Sequence, residues 1–141
     1  MSFSCIGKQK SLGLFSTTFE YFNTDNTNNI AIMSSIDVIY NNCNFGVSYG
    51  IVFPLGMMAN LNGGYCFQQK NNIYKFNFFA EIVDIVDKEE YSSIGAKIST
   101  IFKIKTNTIY PAFVEPYIQC GVSNIKKNMY IGCGLTIGTF L

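Results

Sequence analysis

The chain has 141 residues, of which 48% are hydrophobic and 16% aromatic, while only 13% are charged where roughly 25% is usual for a soluble domain. This length suits a single domain, a β-barrel spanning residues 1–141 with residues 1–12 as an N-terminal tail, and a net charge of +1 supplies no basic field for nucleic acid, which is not expected as a partner. The absence of His excludes Ser-His and Cys-His nucleophilic pairs and His-based zinc sites, so an enzyme here would need Lys, Tyr or carboxylates alone; no catalytic, metal-binding or cofactor-binding residue is assigned and no enzyme is expected.

The first ten residues, Met1 to Lys10, hold no apolar run that would serve as a secretory signal. A mature chain with an added Met and a chain that never used the secretory route both fit them. No stretch of about 18 apolar residues follows, so helical membrane spans are not expected. Instead, segments of two-residue alternation are separated by turn-rich clusters: 23–29, 41–42, 54–56, 69–72, 87–90, 105–108 and 123–128. They divide the chain into about eight strands, predicted over 13–23, 30–40, 43–53, 57–68, 73–86, 91–104, 109–122 and 129–141. Each approaches or exceeds the roughly ten residues that cross a membrane when tilted. Short connections make sequence neighbours pair as an antiparallel meander, and an even strand number lets the last strand close on the first. Asn77 to Asp87 also reads as an amphipathic helix, but its β-branched and aromatic content favours a strand.

One face of each strand is apolar. In chain order it carries Phe15, Phe19 and Tyr21; Ile30, Ile32, Ile36, Val38 and Tyr40; Phe45, Val47, Tyr49, Ile51 and Phe53; Met57, Leu61, Tyr65 and Phe67; Tyr74, Phe76, Phe78 and Ile82; Ile94, Ile98, Phe102 and Ile104; Tyr110, Val114 and Ile118; and Met129, Ile131, Leu135 and Ile137. The mid-strand charges, Glu20, Asp37, Lys75, Glu81, Lys97, Lys103 and Glu115, all fall on the opposite face, among Ser, Thr, Asn, Gly and Ala. A soluble lipocalin-like or fatty-acid-binding barrel would turn the uncharged face inward and coat its outside with Lys and Glu. Small residues on the charged face suit the crowded inside of a narrow barrel, and the bulky apolar face exceeds what an eight-stranded interior holds. The apolar face is therefore expected to meet lipid. Aromatic residues near strand ends, Phe15, Tyr21, Tyr40, Phe45, Phe53, Tyr65, Phe67, Tyr74, Phe102 and Tyr110, have the placement of an interfacial girdle, although aromatics favour strands in any case.

Buried charges must be paired. A turn centred near Glu89 sets Glu81 across from Lys97, and one centred near Thr106 sets Lys97 across from Glu115, a row of alternating sign. The same register sets Lys75 across from Lys103 and asks for Glu20 or Asp37 nearby across the lumen. The seven charges are read as a structural ion network rather than a catalytic dyad. Cys5, Cys43, Cys66, Cys120 and Cys133 are odd in number and lack metal-ligand spacing, and are read as thiols. Asn62-Gly-Gly64 and Gly132-Cys-Gly134 lie inside strands with no helix following, so they are not phosphate loops.

On this pattern the chain resembles the small eight-stranded outer-membrane β-barrels, the OmpA-type transmembrane domain and OmpX. The resemblance covers nearly all of the chain after residue 12 and rests on pattern rather than on one motif. It implies a closed antiparallel up-and-down barrel in the outer membrane of a bacterial envelope. It also implies a lumen plugged by polar and ionic side chains, a porin-like architecture without free conduction, and a structural, anchoring or surface-interaction role. Membrane lipid is the expected partner, an envelope partner stays unspecified, and a monomer is expected. The final strand, Met129 to Leu141, looks like the family's C-terminal assembly signal, but ends in Leu141 after Phe140 rather than in an aromatic residue. The connections are also short at both ends, where the family has long extracellular loops. A soluble barrel carrying a small hydrophobic ligand and a viral or other assembly β-subunit remain as alternatives.

Overall fold

The computed structural model describes residues 11–24, 27–53, 56–85, 90–105, 109, 111–124 and 129–141. Eight strands follow in order: β1 (Leu12–Thr24), β2 (Thr27–Tyr40), β3 (Cys43–Phe53), β4 (Gly56–Gln69), β5 (Asn72–Ile85), β6 (Tyr91–Ile104), β7 (Ala112–Ser123) and β8 (Met129–Phe140). Each pairs antiparallel with its sequence neighbour, and β8 returns to β1 to close the barrel. The seam is fully laddered from Leu14↔Phe140 to Asn23↔Ile131. It is extended by a hydrogen bond of 2.8 Å from the Leu141 backbone N–H to the Gly13 carbonyl. Closure matters because an open edge would leave unpaired backbone groups that hydrocarbon cannot satisfy.

Within the 77–87 segment, residues 77–85 belong to β5 over Asn72–Ile85, in keeping with their β-branched and aromatic content, and residues 86–87 lie outside the described residues. Two strand starts shift by three residues: β2 begins at Thr27 rather than at 30, so that part of the expected 23–29 turn cluster is strand, and β7 begins at Ala112 rather than at 109; Tyr110 lies outside the described residues. The first strand begins at Leu12, the last residue assigned to the tail. Two turn residues, Asn41 (φ 54°) and Lys70 (φ 55°), take left-handed backbone angles, as tight hairpins require of the residue that reverses the chain. Asn suits this conformation, whereas Lys is an uncommon occupant.

Alternation divides the molecule into an outside and an inside. Outward side chains are mostly apolar, with Phe78 at 66% and Ile94 at 68% exposure, and the outward Asp84 lies at a strand end, while inward Lys75 and Glu81 are 4% and 1% exposed. This is the reverse of the arrangement that a soluble lipid carrier needs. Together, closure, the apolar exterior and the buried polar interior define an eight-stranded barrel of membrane-spanning type with a filled lumen.

The inside is layered. Phe22, Ala31, Met33, Val52, Met58, Phe79 and Val83 form one apolar cluster, at the end where β1 turns to β2, β3 to β4, β5 to β6 and β7 to β8. Leu14, Ile39, Cys66, Ile73, Ile101, Phe113 and Phe140 form a second, at the end holding the other three connections, the start of β1 and the end of β8; we call this the terminal end. The buried polar residues lie largely between the two clusters. Glycines let the wall close around them. Gly95 of β6 and Gly121 of β7 face each other, and a Cβ on Gly95 would lie 2.1 Å from the Cys120 carbonyl oxygen and 2.5 Å from the Gly121 Cα. Only a residue without Cβ permits that approach.

Candidate functional site

The polar layer is the candidate site, and its centre is the Lys75 ammonium. Lys75 projects inward from β5, one strand position beside Cys66 of β4 and Ser99 of β6. Its Nζ lies 3.0 Å from Glu115 Oε1 and 3.8 Å from Asp37 Oδ1. The Ser99 hydroxyl donates to the same Glu115 oxygen at 2.5 Å. One cation thus ties β5 to β7 and reaches β2 across the lumen. Gly46 makes room for this: a Cβ there would stand 1.9 Å from Asp37 Oδ1.

A second group surrounds Glu20 on β1. Tyr117 Oη donates to Glu20 Oε2 at 2.5 Å and Gln119 Nε2 donates to Glu20 Oε1 at 2.6 Å. The Lys97 ammonium sits 3.7 Å from the centre of the Tyr117 ring, a cation–π contact made strong by burial. Tyr117 therefore links a carboxylate through its hydroxyl and an ammonium through its face. A Cβ on Gly134 would come within 2.4 Å of the Tyr117 Cζ, so this ring position depends on glycine in β8.

Glu81 completes the layer on β5, accepting from Asn60 Nδ2 at 3.1 Å and from the Ser93 hydroxyl at 3.4 Å. Asn77 Nδ2 donates to Asn62 Oδ1 at 2.8 Å, and Thr18 bonds Ser35 at 3.2 Å and Thr136 at 2.9 Å, tying β1 to both its neighbours. A low-dielectric interior makes each of these bonds electrostatically stronger than in water, and each missing partner costlier.

The predicted charge row needs correction. Glu81 pairs with Ser93, not Lys97; Lys97 stands opposite Asn77 on β5 and Gln119 on β7 rather than opposite Glu81 and Glu115. Lys75 stands opposite Ser99, not Lys103. The β5–β6 hairpin centres two residues earlier than expected and the β6–β7 hairpin two residues later, so each partner slides by four. An even slide preserves every inward and outward side chain, and the alternation is blind to it. Lys103 also departs from the buried set: it is exposed at the terminal end, its Nζ 5.6 Å from the centre of the Phe140 ring. Phe113 and Phe140 fill the lumen beneath it.

Sequence reasoning missed Tyr117, Gln119, Asn60, Ser93 and Ser99 as carriers of the network. The signal was their parity, since Tyr117 and Gln119 share a face with Glu115. Cys43, Cys66, Cys120 and Cys133 are free thiols; Cys120 pairs with Ile131 and Cys133 with Ile118, so the two sit diagonally on the outer face. Cys5 lies outside the described residues. Among the described residues no group of His, Cys, Asp and Glu is arranged to hold a metal ion, and no helix is long and apolar enough to cross a membrane.

No protein-family model and no curated protein matches the chain. Among solved structures the chain is similar to one described as "De novo design of transmembrane beta-barrels", with a TM-score of 0.55 and 13% identity over 92% of this chain and 98% of that one. At that identity the likeness concerns the fold, and it is to a barrel described as transmembrane.

Proposed function

We propose that the chain is an integral outer-membrane β-barrel, related in architecture to the OmpA-type domain and OmpX, that serves as a structural or anchoring element or as a surface for envelope partners. In this reading it is neither an enzyme nor a solute channel. The observation that supports it most is the reversal of polarity. Bulky apolar side chains point outward from all eight strands while Lys75, Asp37 and Glu115 join inside. Water would not reward the first arrangement, and lipid tolerates the second only because the charges are enclosed and paired. Two apolar clusters occupy the ends of the lumen, where they oppose a hydrated path for ions, which supports the non-conducting role.

The test is biochemical. Purified protein should need detergent to remain monodisperse, and its folded form should migrate differently on gels before and after boiling. In planar bilayers it should show no steady single-channel current. A chain that stays monodisperse without detergent and extracts a fatty ligand would overturn the membrane assignment.

A further inference from the structure

We propose that the terminal end of the barrel is a contact surface for anionic phospholipid, with Lys70, Lys103 and Lys105 set against headgroup phosphates. The inference rests on the membrane reading above. Topology gathers these three lysines at one end: Lys70 turns β4 into β5, Lys103 occupies the last turn-ward inward position of β6, and Lys105 follows that strand directly. All three are exposed. Lys103 is exposed although its alternation points it inward, because the Phe113 and Phe140 rings occupy the lumen below it. Its ammonium is turned to the mouth, where a long flexible stem can carry it to the interface.

The described side-chain charges at this mouth, Lys70, Lys103 and Lys105, have one sign. Among the described residues outside the strands here, 11, 41–42, 70–71, 105, 109, 111 and 141, there is no Asp or Glu side chain. The opposite end differs: its described charges are the exposed carboxylates of Asp84 and Glu90, and the sequence of its connections mixes Asp25, Asp87 and Glu89 with Lys88, Lys126 and Lys127. The terminal end also holds outward aromatic rings close to the turns, including Tyr40 and Phe45 on the β2–β3 hairpin and Tyr65 and Phe102 nearby. Asn42 donates from Nδ2 to the Tyr65 hydroxyl at 2.9 Å, an interfacial pairing of ring and turn. Aromatic rings settle at headgroup depth, which places the neighbouring lysines among phosphates. A belt of rings combined with lysines of one sign fits a lipid surface better than a nucleic acid or an acidic protein, neither of which would use the belt.

The experiment reads lipid selection around the inserted protein. Barrel reconstituted in phosphatidylcholine vesicles is probed with spin-labelled phosphatidylglycerol and, separately, with spin-labelled phosphatidylcholine. We expect the anionic label to be selected, by up to about fivefold per engaged lysine, and the preference to shrink as salt rises. The combined variant Lys70→Gln, Lys103→Gln, Lys105→Gln should lose the preference while keeping its heat-modifiable gel shift; Asp84→Asn with Glu90→Gln should retain it. Equal selection of both labels by the unaltered chain, or a preference that survives the triple change, overturns the proposal. So does displacement of the anionic label by inorganic phosphate beyond that by chloride at matched ionic strength, which would identify a free-phosphate site. A failure to insert shows as no motionally restricted lipid with either label, and overturns the membrane reading and this proposal together.

Discussion

Lys75 is the residue on which the lumen turns. Its ammonium is shared by Glu115 at 3.0 Å and Asp37 at 3.8 Å, and enclosure by two apolar clusters denies either carboxylate a substitute from solvent. Lys75→Met should therefore destabilise the barrel by about 3–5 kcal/mol, the cost of leaving a buried charge without its partner, measured by urea unfolding in detergent micelles. Lys75→Met combined with Glu115→Leu should recover part of that loss, since it removes the nearer of the two stranded carboxylates and leaves only Asp37 without its lysine. A double change no better than the single one would show that the pair is not coupled. Gly134 offers a second test. Gly134→Ala puts a methyl group 2.4 Å from Tyr117 Cζ and should cost about 1–3 kcal/mol through overpacking, with a changed environment for the tyrosine hydroxyl that donates to Glu20.

Within the strands, alternation and shape act together. The alternation read in β6, for example, places Ile94, Ile98 and Phe102 outside and Ser93, Lys97 and Ser99 on the lumen face, as the residue types alone indicate. Strand identity and facing were thus legible from composition and parity. Register was not, because hairpins slid by an even number of residues present the same two faces. Close approach was not legible either. Gly95 and Gly121 look like ordinary small lumen residues until β6 and β7 are laid side by side, when each proves to leave no room for a Cβ beside the other's strand. Gly95→Ala should shift backbone rather than one flexible side chain, so we expect a loss at the upper end of about 1–3 kcal/mol and slower folding into vesicles, followed by gel shift over time. Pro116 marks another departure from regularity. The β6–β7 ladder is interrupted between Ser99↔Tyr117 and Phe102↔Val114, where a residue without a backbone N–H sits in β7.

Across the whole molecule, the direction in which charge is forbidden defines the environment. Ile98 is outward, near the middle of β6, and 54% exposed. In a bilayer, Ile98→Lys should cost about 2–4 kcal/mol, the penalty of a lysine near the midplane of a transmembrane barrel. A soluble barrel would accept the same change with little loss. Unfolding measured from vesicles distinguishes the two: a near-neutral effect would place that face in water.

By itself the sequence determined the strand number, which residues point each way, and that the charged face is the inner one. These are local properties, set by side-chain period and residue size, and a lipid exterior with a small polar interior follows from them. Only the tertiary structure decided which charges meet. Lys75 joins Asp37 of β2 and Glu115 of β7 because closure of the sheet brings inward positions of distant strands across one lumen, and no neighbouring-strand pattern encodes that crossing. The end clusters were decided in the same way. Leu14, Ile39, Ile73, Ile101, Phe113 and Phe140 are scattered apolar exceptions on a polar face until the barrel stacks them at one mouth. Burial there leaves the lumen filled and turns Lys103 out toward the interface.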